Sequence, residues 1–285
     1  MFDAMNAKPT YLSIFGLTEE PFSASPNPRF FYTSPLHDIA LQKTRFVVSA
    51  KKGLCVVFGD TGTGKTTLAR LLYFQFVEDD FITGLLTNPA YPTPNQLLRV
   101  IMKAFDYPNF GRSYQATLDR FQEFLYVKAV EEGKTVVLIV DEAQTLKPAM
   151  LEFLRQLLNF ETNEQKLLQL VLFSQNELRA KLKRAQNLEN RIALKASLES
   201  LTLAESEQML RHRWQVAGGQ AFPFTAQALE ALYLFSGGVP RRQVILADNV
   251  LLSAGLLECT TIDDGLVTQV AQDQEFMSTN PTPTT

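Results

Sequence analysis

The chain has 285 residues, 46% of them hydrophobic and 20% charged. At roughly 150 residues per domain this gives about two domains and excludes wholesale disorder. Lysine and arginine total 27 against 30 aspartates and glutamates, a net charge of −3, so the chain is not broadly cationic, although a local basic groove is compatible with that average. Two cysteines, Cys55 and Cys259, are too few for a disulfide framework. No apolar stretch reaches the ~18–20 residues of a membrane span, and Met1 to Pro9 lacks the basic-then-apolar order of a signal peptide. A cytoplasmic protein is expected.

Residues 1–10 are polar and without period, and residues 277–285 are rich in Ser, Thr, Asn and Pro; both ends are expected to be flexible. Between them, apolar runs at Leu54–Phe58, Phe81–Thr87, Thr135–Val140 and Leu168–Ser174 predict buried strands. Each precedes a segment with helical spacing: Lys65–Val77; Asn95–Phe105 and Tyr114–Glu132; Ala149–Phe160; and a helix beginning near Asn176. A fifth strand is expected at Arg191–Leu198, then a helix from about Ala204. The alternation predicts an α/β fold with a parallel five-stranded sheet covered on both faces. Beyond Val216 the pattern becomes helical at Phe224–Phe235, Val239–Leu257 and Asp263–Gln274, punctuated by Gly218-Gly219 and Gly237-Gly238. The expected division is an α/β core over 11–218 and a small α-helical domain over 219–276.

The run Gly59-Asp60-Thr61-Gly62-Thr63-Gly64-Lys65-Thr66 satisfies G-x-x-x-x-G-K-[ST] at every fixed position, directly after a predicted strand and at the start of a predicted helix. Glycines let backbone N–H groups turn inward around phosphates, and the helix N-terminus adds partial positive charge. Lys65 is then the ligand of the β- and γ-phosphates of ATP, and the Thr66 hydroxyl part of a Mg²⁺ shell. The cofactor-binding set runs through Gly59, Asp60, Thr61, Gly62, Thr63, Gly64, Lys65, Thr66 and Thr67.

The strand Val136–Val140 runs into Asp141-Glu142. A buried strand ending in Asp is the Walker-B arrangement, with Asp141 and Thr66 as the metal pair. Glu142, one residue on, is placed to polarise an attacking water, which predicts hydrolysis rather than nucleotide sensing alone.

In an open parallel sheet ligands sit beyond the carboxyl ends of the strands, so Ser174-Gln175-Asn176 after the fourth strand offers a polar side chain to orient that water. Gln175 is the first choice, with Ser174 and Asn176 behind it; Asn176 can alternatively cap the next helix. Arg191 is the candidate to stabilise transferring phosphoryl charge in a neighbouring subunit, with Arg184 and Arg179 competing. Arg241, near the start of the helix opened by Pro240, sits where a cation is unfavourable unless it faces an anion. That assigns it to the phosphates, with Arg242 as the alternative.

Together these residues resemble the AAA+ ATPases, and within them the ExeA-like (general secretion pathway A) and TnsC-like proteins, over roughly Tyr11 to Gln274. The resemblance includes Tyr11–Phe22 and Pro26–Tyr32, Asp141-Glu142-Ala143-Gln144, Leu157–Thr162, Ser174-Gln175, Asn190-Arg191-Ile192 and Gly237–Arg241. It implies a AAA+ P-loop core followed by a helical lid, Gln175 as sensor 1, Arg191 as arginine finger and Arg241 as sensor 2. It also makes Pro28 to Tyr32, Phe30 above all, and His37 candidate adenine contacts, although aromatics there, taken alone, are more often core. The protein for which the family is named continues into a membrane span and a peptidoglycan-binding region not present in this sequence, so a direct cell-wall role is not expected.

The leading expectation is an ATP-hydrolysing switch that forms a ring or filament and regulates a partner. In its first form it is a TnsC-like regulator of transposition on double-stranded DNA, acting on a transposase or targeting protein through the basic stretch Lys181, Lys183, Arg184, Arg191 and Lys195. The alternatives are a cytoplasmic accessory ATPase of secretion or pilus assembly, and a non-hydrolysing scaffold, against which Glu142 argues.

Overall fold

The computed structural model describes residues 10–25, 27–76 and 80–276. The expectations for the two chain ends (1–9 and 277–285), for Pro26 in the N-terminal signature and for Val77 at the end of the first predicted helix lie outside them. Thr10, read as part of a loose end, instead opens helix α1 (Thr10–Ile14).

All five predicted strands are present, as β1 (Leu54–Gly59), β2 (Phe81–Leu86), β3 (Thr135–Val140), β4 (Leu168–Ser174) and β5 (Ile192–Leu198). They form one parallel sheet in the order β2-β3-β4-β1-β5. Every residue of β1, β3 and β4 is buried, as strands covered on both faces require. The cover comes from α2 (Pro35–Ser49), α3 (Lys65–Gln75), α4 (Pro94–Ala104), α5 (Tyr114–Tyr126), α6 (Pro148–Leu157) and α7 (Glu177–Arg184), with a short α8 (Gln186–Glu189) before β5. Thr93 and Ser113 cap α4 and α5, their hydroxyls accepting from the backbone N–H of Gln96 and Ala116. The single helix expected over 114–132 is α-helical to Tyr126 and then widens into a π-type turn, Val127–Glu131.

Register fixes the geometry that matters. Phe58 pairs with Ser174 and Val140 with Leu172, so the loops that begin at Gly59, Asp141 and Gln175 all leave one edge of the sheet. Ile192 pairs with Leu54 and Leu198 with Gly59, so Arg191 lies at the opposite edge.

Residue contacts divide the chain into two units. One takes Pro35–Thr61 and Lys65–Leu198; the other takes the described residues before Pro35, the loop tripeptide Gly62–Gly64, and everything from Glu199. The division at 198/199 and the boundary read from sequence at 218/219 differ by the helix α9 (Leu203–Val216), whose core faces α10 (Ala226–Ser236) and α11 (Pro240–Leu256). Helix α12 (Asp264–Asp273) completes this second unit. Thr202, Thr225 and Asp263 cap α9, α10 and α12. The only strand-like pairing here among the described residues is one bridge between Phe224 and Ile262. Trp214 is the centre of an aromatic cluster: Phe15 and Phe222 meet it edge-on at 5.7 and 5.9 Å, and Phe22 lies 6.4 Å away. The N-terminal aromatics thus serve as core for helices roughly 200 positions later in sequence.

Candidate nucleotide site

The loop after β1 has the conformation its glycines predict. Gly62 and Gly64 sit at φ +87° and +95°, outside what a side chain tolerates without strain. Lys65 opens α3 buried (5% exposed), and its Nζ donates to the Asp60 carbonyl at 2.8 Å. Burial pulls the ammonium below its ordinary lysine pKa, opposed by the carboxylates of Glu142, Asp141, Asp60 and Glu177, in that order. A cation held under this tension gains on meeting phosphate. Thr67, half-buried, follows on the same helix.

The Thr66 hydroxyl donates to Asp141 Oδ2 at 2.6 Å. Asp141 is 2% exposed; burial raises its pKa, and the Thr66 hydroxyl and the Glu142 N–H lower it in turn. These are hard oxygen donors side by side, which suits Mg²⁺. That ion keeps waters and substrate phosphates in its shell, so it needs no cluster of three ligating side chains, and none occurs among the described residues. The residues present fit the ion.

Glu142 follows in the left-handed region, φ 55°, with its N–H donating to Asp141 Oδ1 at 2.9 Å. Its carboxylate accepts from Gln144 Nε2. Gln144 Oε1 in turn accepts from the Gln175 backbone N–H at 3.1 Å and from Ser174 Oγ at 3.3 Å. The Gln175 side chain accepts from Thr61 Oγ1 at 3.1 Å. The candidate water-positioning residue and the candidate acid are thereby brought together through Gln144, a residue to which sequence reasoning gave no role. Its one signal was its place in Asp-Glu-Ala-Gln. Asn176 does not cap α7: its side chain makes no capping bond, and instead donates to Asp60 Oδ1 at 2.7 Å and accepts from Arg179 Nε at 2.9 Å. The tie to the loop displaces the cap.

The arginines separate by occupancy. Arg179 lies over the Phe58 ring at 3.9 Å and donates to Ser197 Oγ at 2.8 Å. Arg191 is half-buried, its Nη1 donating to the Leu158 carbonyl at 3.4 Å. Arg184, at the end of α7, is exposed with no partner among the described residues. In the second unit Arg242 donates to the Phe235 carbonyl at 3.0 Å. Arg241 is exposed and its guanidinium has no partner among the described residues; its backbone N–H donates to the Gly62 carbonyl at 3.2 Å.

Phe30 is 4% exposed and belongs to the second unit's core. The Arg213 guanidinium lies 5.3 Å from its ring centre and donates to the carbonyls of Pro21, Ser23 and Phe30 at 2.8, 2.6 and 3.3 Å. The Tyr32 hydroxyl donates to Gln208 at 2.5 Å. His37 is buried on α2, in the first unit.

A parallel five-stranded sheet with a phosphate loop after β1 and an Asp-Glu pair after β3 defines a P-loop nucleotide-binding protein of the AAA+ class. Residues 48–182 match the AAA domain family. The chain is 38% identical over 247 residues to general secretion pathway protein A of Aeromonas hydrophila, and is an ExeA-like AAA+ protein. That match covers 86% of this chain and 45% of the relative, so the chain spans less than half of the relative's length. Among solved structures, the ORC2 protein of Aeropyrum pernix with ADPNP and ADP superimposes with a TM-score of 0.64 at 17% identity, over 92% of this chain and 73% of that one. The Cdc6p protein of Pyrobaculum aerophilum gives a TM-score of 0.68 at 17% identity, over 90% and 71%. At that identity the two structures show the fold alone.

Proposed function

We propose that this chain is an ATP-hydrolysing switch of a secretion or pilus assembly system, working as an accessory ATPase on the cytoplasmic side. The observation that carries hydrolysis is the joining of Glu142, through Gln144, to Gln175 at the carboxyl edge of the sheet where Lys65, Thr66 and Asp141 also stand. Lys65 and the loop N–H groups would hold the β- and γ-phosphates; Thr66 and Asp141 would hold Mg²⁺, which would supply charge neutralisation there. Glu142 takes a proton from water as its oxygen attacks the γ-phosphorus. The bond to the bridging oxygen breaks, and ADP and inorganic phosphate leave. Arg241 is assigned to the phosphates in preference to Arg242, because Arg242 is bonded to the Phe235 carbonyl while the Arg241 guanidinium has no partner among the described residues.

The secretion reading is favoured over the TnsC-like one by the relative, and by the fate of the basic stretch. Lys181 is spent on the carbonyls of Gln144 and Leu146 and Lys195 on Glu189, which leaves Lys183, Arg184 and Arg191, the last held only by the Leu158 carbonyl at 3.4 Å, for a DNA backbone. No helix among the described residues is long and apolar enough to cross a membrane.

The test is Mg²⁺-dependent phosphate release with and without double-stranded DNA at two salt concentrations. Hydrolysis that duplex DNA leaves unchanged supports this reading; hydrolysis stimulated by DNA and lost with salt restores the transposition reading. Absence of turnover in wild type, with ATP bound, leaves a scaffold.

A further inference from the structure

We propose that Gln144 is the positioning residue that aims the Glu142 carboxylate, making the acid's place depend on the end of β4 and on the phosphate loop. This rests on the reading of Glu142 as the group that takes the proton from water.

The orientation of the Gln144 amide is fixed by its surroundings. A backbone N–H only donates, so the atom facing the Gln175 N–H at 3.1 Å has to be the carbonyl oxygen. The NH₂ group is then left to face Glu142, whose ionised carboxylate only accepts. A flipped amide loses both bonds. The main chain of the same residue is held as firmly: Lys181 Nζ donates to the carbonyls of Gln144 and, at 3.0 Å, Leu146. On the acid's side the backbone stands at φ 55°, a conformation that persists in a side-chain residue only when its neighbours over-determine it. They do: Glu142 N–H bonds Asp141, and the Glu142 carbonyl accepts from Thr145 N–H at 2.9 Å and Thr145 Oγ1 at 2.8 Å.

Glu142 leaves β3 at the edge of the sheet where the phosphate loop leaves β1, directly after Asp141, which accepts from Thr66. Gln144 therefore ties the acid to the edge that carries the phosphate loop. The other end of the relay is Thr61 in the loop, which donates to the Gln175 side chain. A displacement of the loop reaches the acid through two side chains and one peptide.

The test uses the full chain in four forms: Gln144→Leu, Gln144→Glu, Glu142→Gln, and Glu142→Gln combined with Gln144→Leu. Gln144→Leu removes both bonds. Gln144→Glu keeps an acceptor for the Gln175 N–H and Ser174, and so the packing, but sets a like charge against Glu142. Steady-state ATP hydrolysis and binding of a non-hydrolysable ATP analogue with Mg²⁺ are measured. Both single Gln144 variants should bind the analogue within about twofold of wild type and lose about 10- to 100-fold in kcat, the cost of a reacting group moved by an ångström or so. The double variant should be no more than about twofold slower than Glu142→Gln alone, since a residue that acts through Glu142 has nothing left to act on.

Wild-type kcat in Gln144→Glu beside a slow Glu142→Gln overturns the proposal and leaves the role of Glu142 standing. So does a double variant slower than Glu142→Gln by a further tenfold, or analogue binding lost together with kcat in both Gln144 variants. Wild-type turnover in Glu142→Gln overturns the reading of Glu142 itself, and this proposal with it.

Discussion

Gly62 shows how one residue serves both loop shape and packing. At φ +87° a side chain costs about 1–3 kcal/mol in strain, and a Cβ added there would meet Arg241 Cβ and Val239 Cγ1, both at 3.0 Å. Gly62→Ala should lower the melting temperature by roughly 2–10 °C and weaken ATP binding at the same time, read by thermal melts with and without Mg·ATP. A substituted protein that melts and binds as wild type does would mean that the loop relaxes freely. The two cysteines differ as sharply. Cys55 lies in the centre of β1, fully buried, and burial pushes its thiol up to about 11, so the reactive thiolate is scarce at every pH below that. Cys259 is exposed. Iodoacetamide at pH 8 should alkylate Cys259 alone in the native protein and both thiols in denaturant, checked by mass spectrometry. Rapid native labelling of Cys55 would show that β1 opens.

At the level of elements, strands were legible because three of the five are buried along their whole length, and a continuous apolar run bounded by glycine or acid has few other readings. Helix α2 was not. Its apolar residues run around the whole circumference, with Leu36, Ile39 and Phe46 exposed while Ala40, Leu41, Val47 and Val48 are buried, so the 3.6-residue period is blurred. The candidate site divides in the same way. Lys65, Thr66, Asp141 and Glu142 belong to contiguous motifs whose spacing states their chemistry. Gln144 acquires its role only when Gln175, 31 positions later, is brought beside it by the pairing of β3 with β4, and no local pattern carries that. Cap residues are the intermediate case. Thr202 and Glu205 form a reciprocal capping box at the start of α9, a pattern visible in sequence as T-x-x-E. Thr202→Ala should cost about 1 kcal/mol, a fall of roughly 2–4 °C in melting temperature. The KM for ATP should be unchanged, because the cap touches none of the phosphate-binding residues.

For the whole molecule, the sheet decides where an arginine can act. Arg191 precedes β5 at the amino edge, and the phosphate loop leaves β1 at the carboxyl edge; a strand of β1's length separates the two by roughly 17 Å, more than a side chain spans. If Arg191 stabilises transferring phosphoryl charge, it does so in a neighbouring copy. Arg191→Ala should then keep ATP binding, since Lys65 and the loop remain, and lose about 10³-fold or more in rate, with wild-type specific activity rising as protein concentration rises. Arg191→Ala and Lys65→Ala subunits mixed in equal amounts should recover about a quarter of wild-type activity, because in a head-to-tail assembly half the pockets are intact and half of those meet an intact arginine. The Leu158 carbonyl that Arg191 now holds has to be given up for this. Arg184, exposed and without a partner among the described residues, has nothing to release and is the competing candidate. If Arg191→Ala hydrolyses ATP at the wild-type rate while Arg184→Ala is slow and is the one rescued by Lys65→Ala, the arginine offered across the boundary comes from the end of α7. If neither is rescued although the variants co-assemble, each site is complete within its own chain, and the requirement for a ring or filament loses its chemical basis.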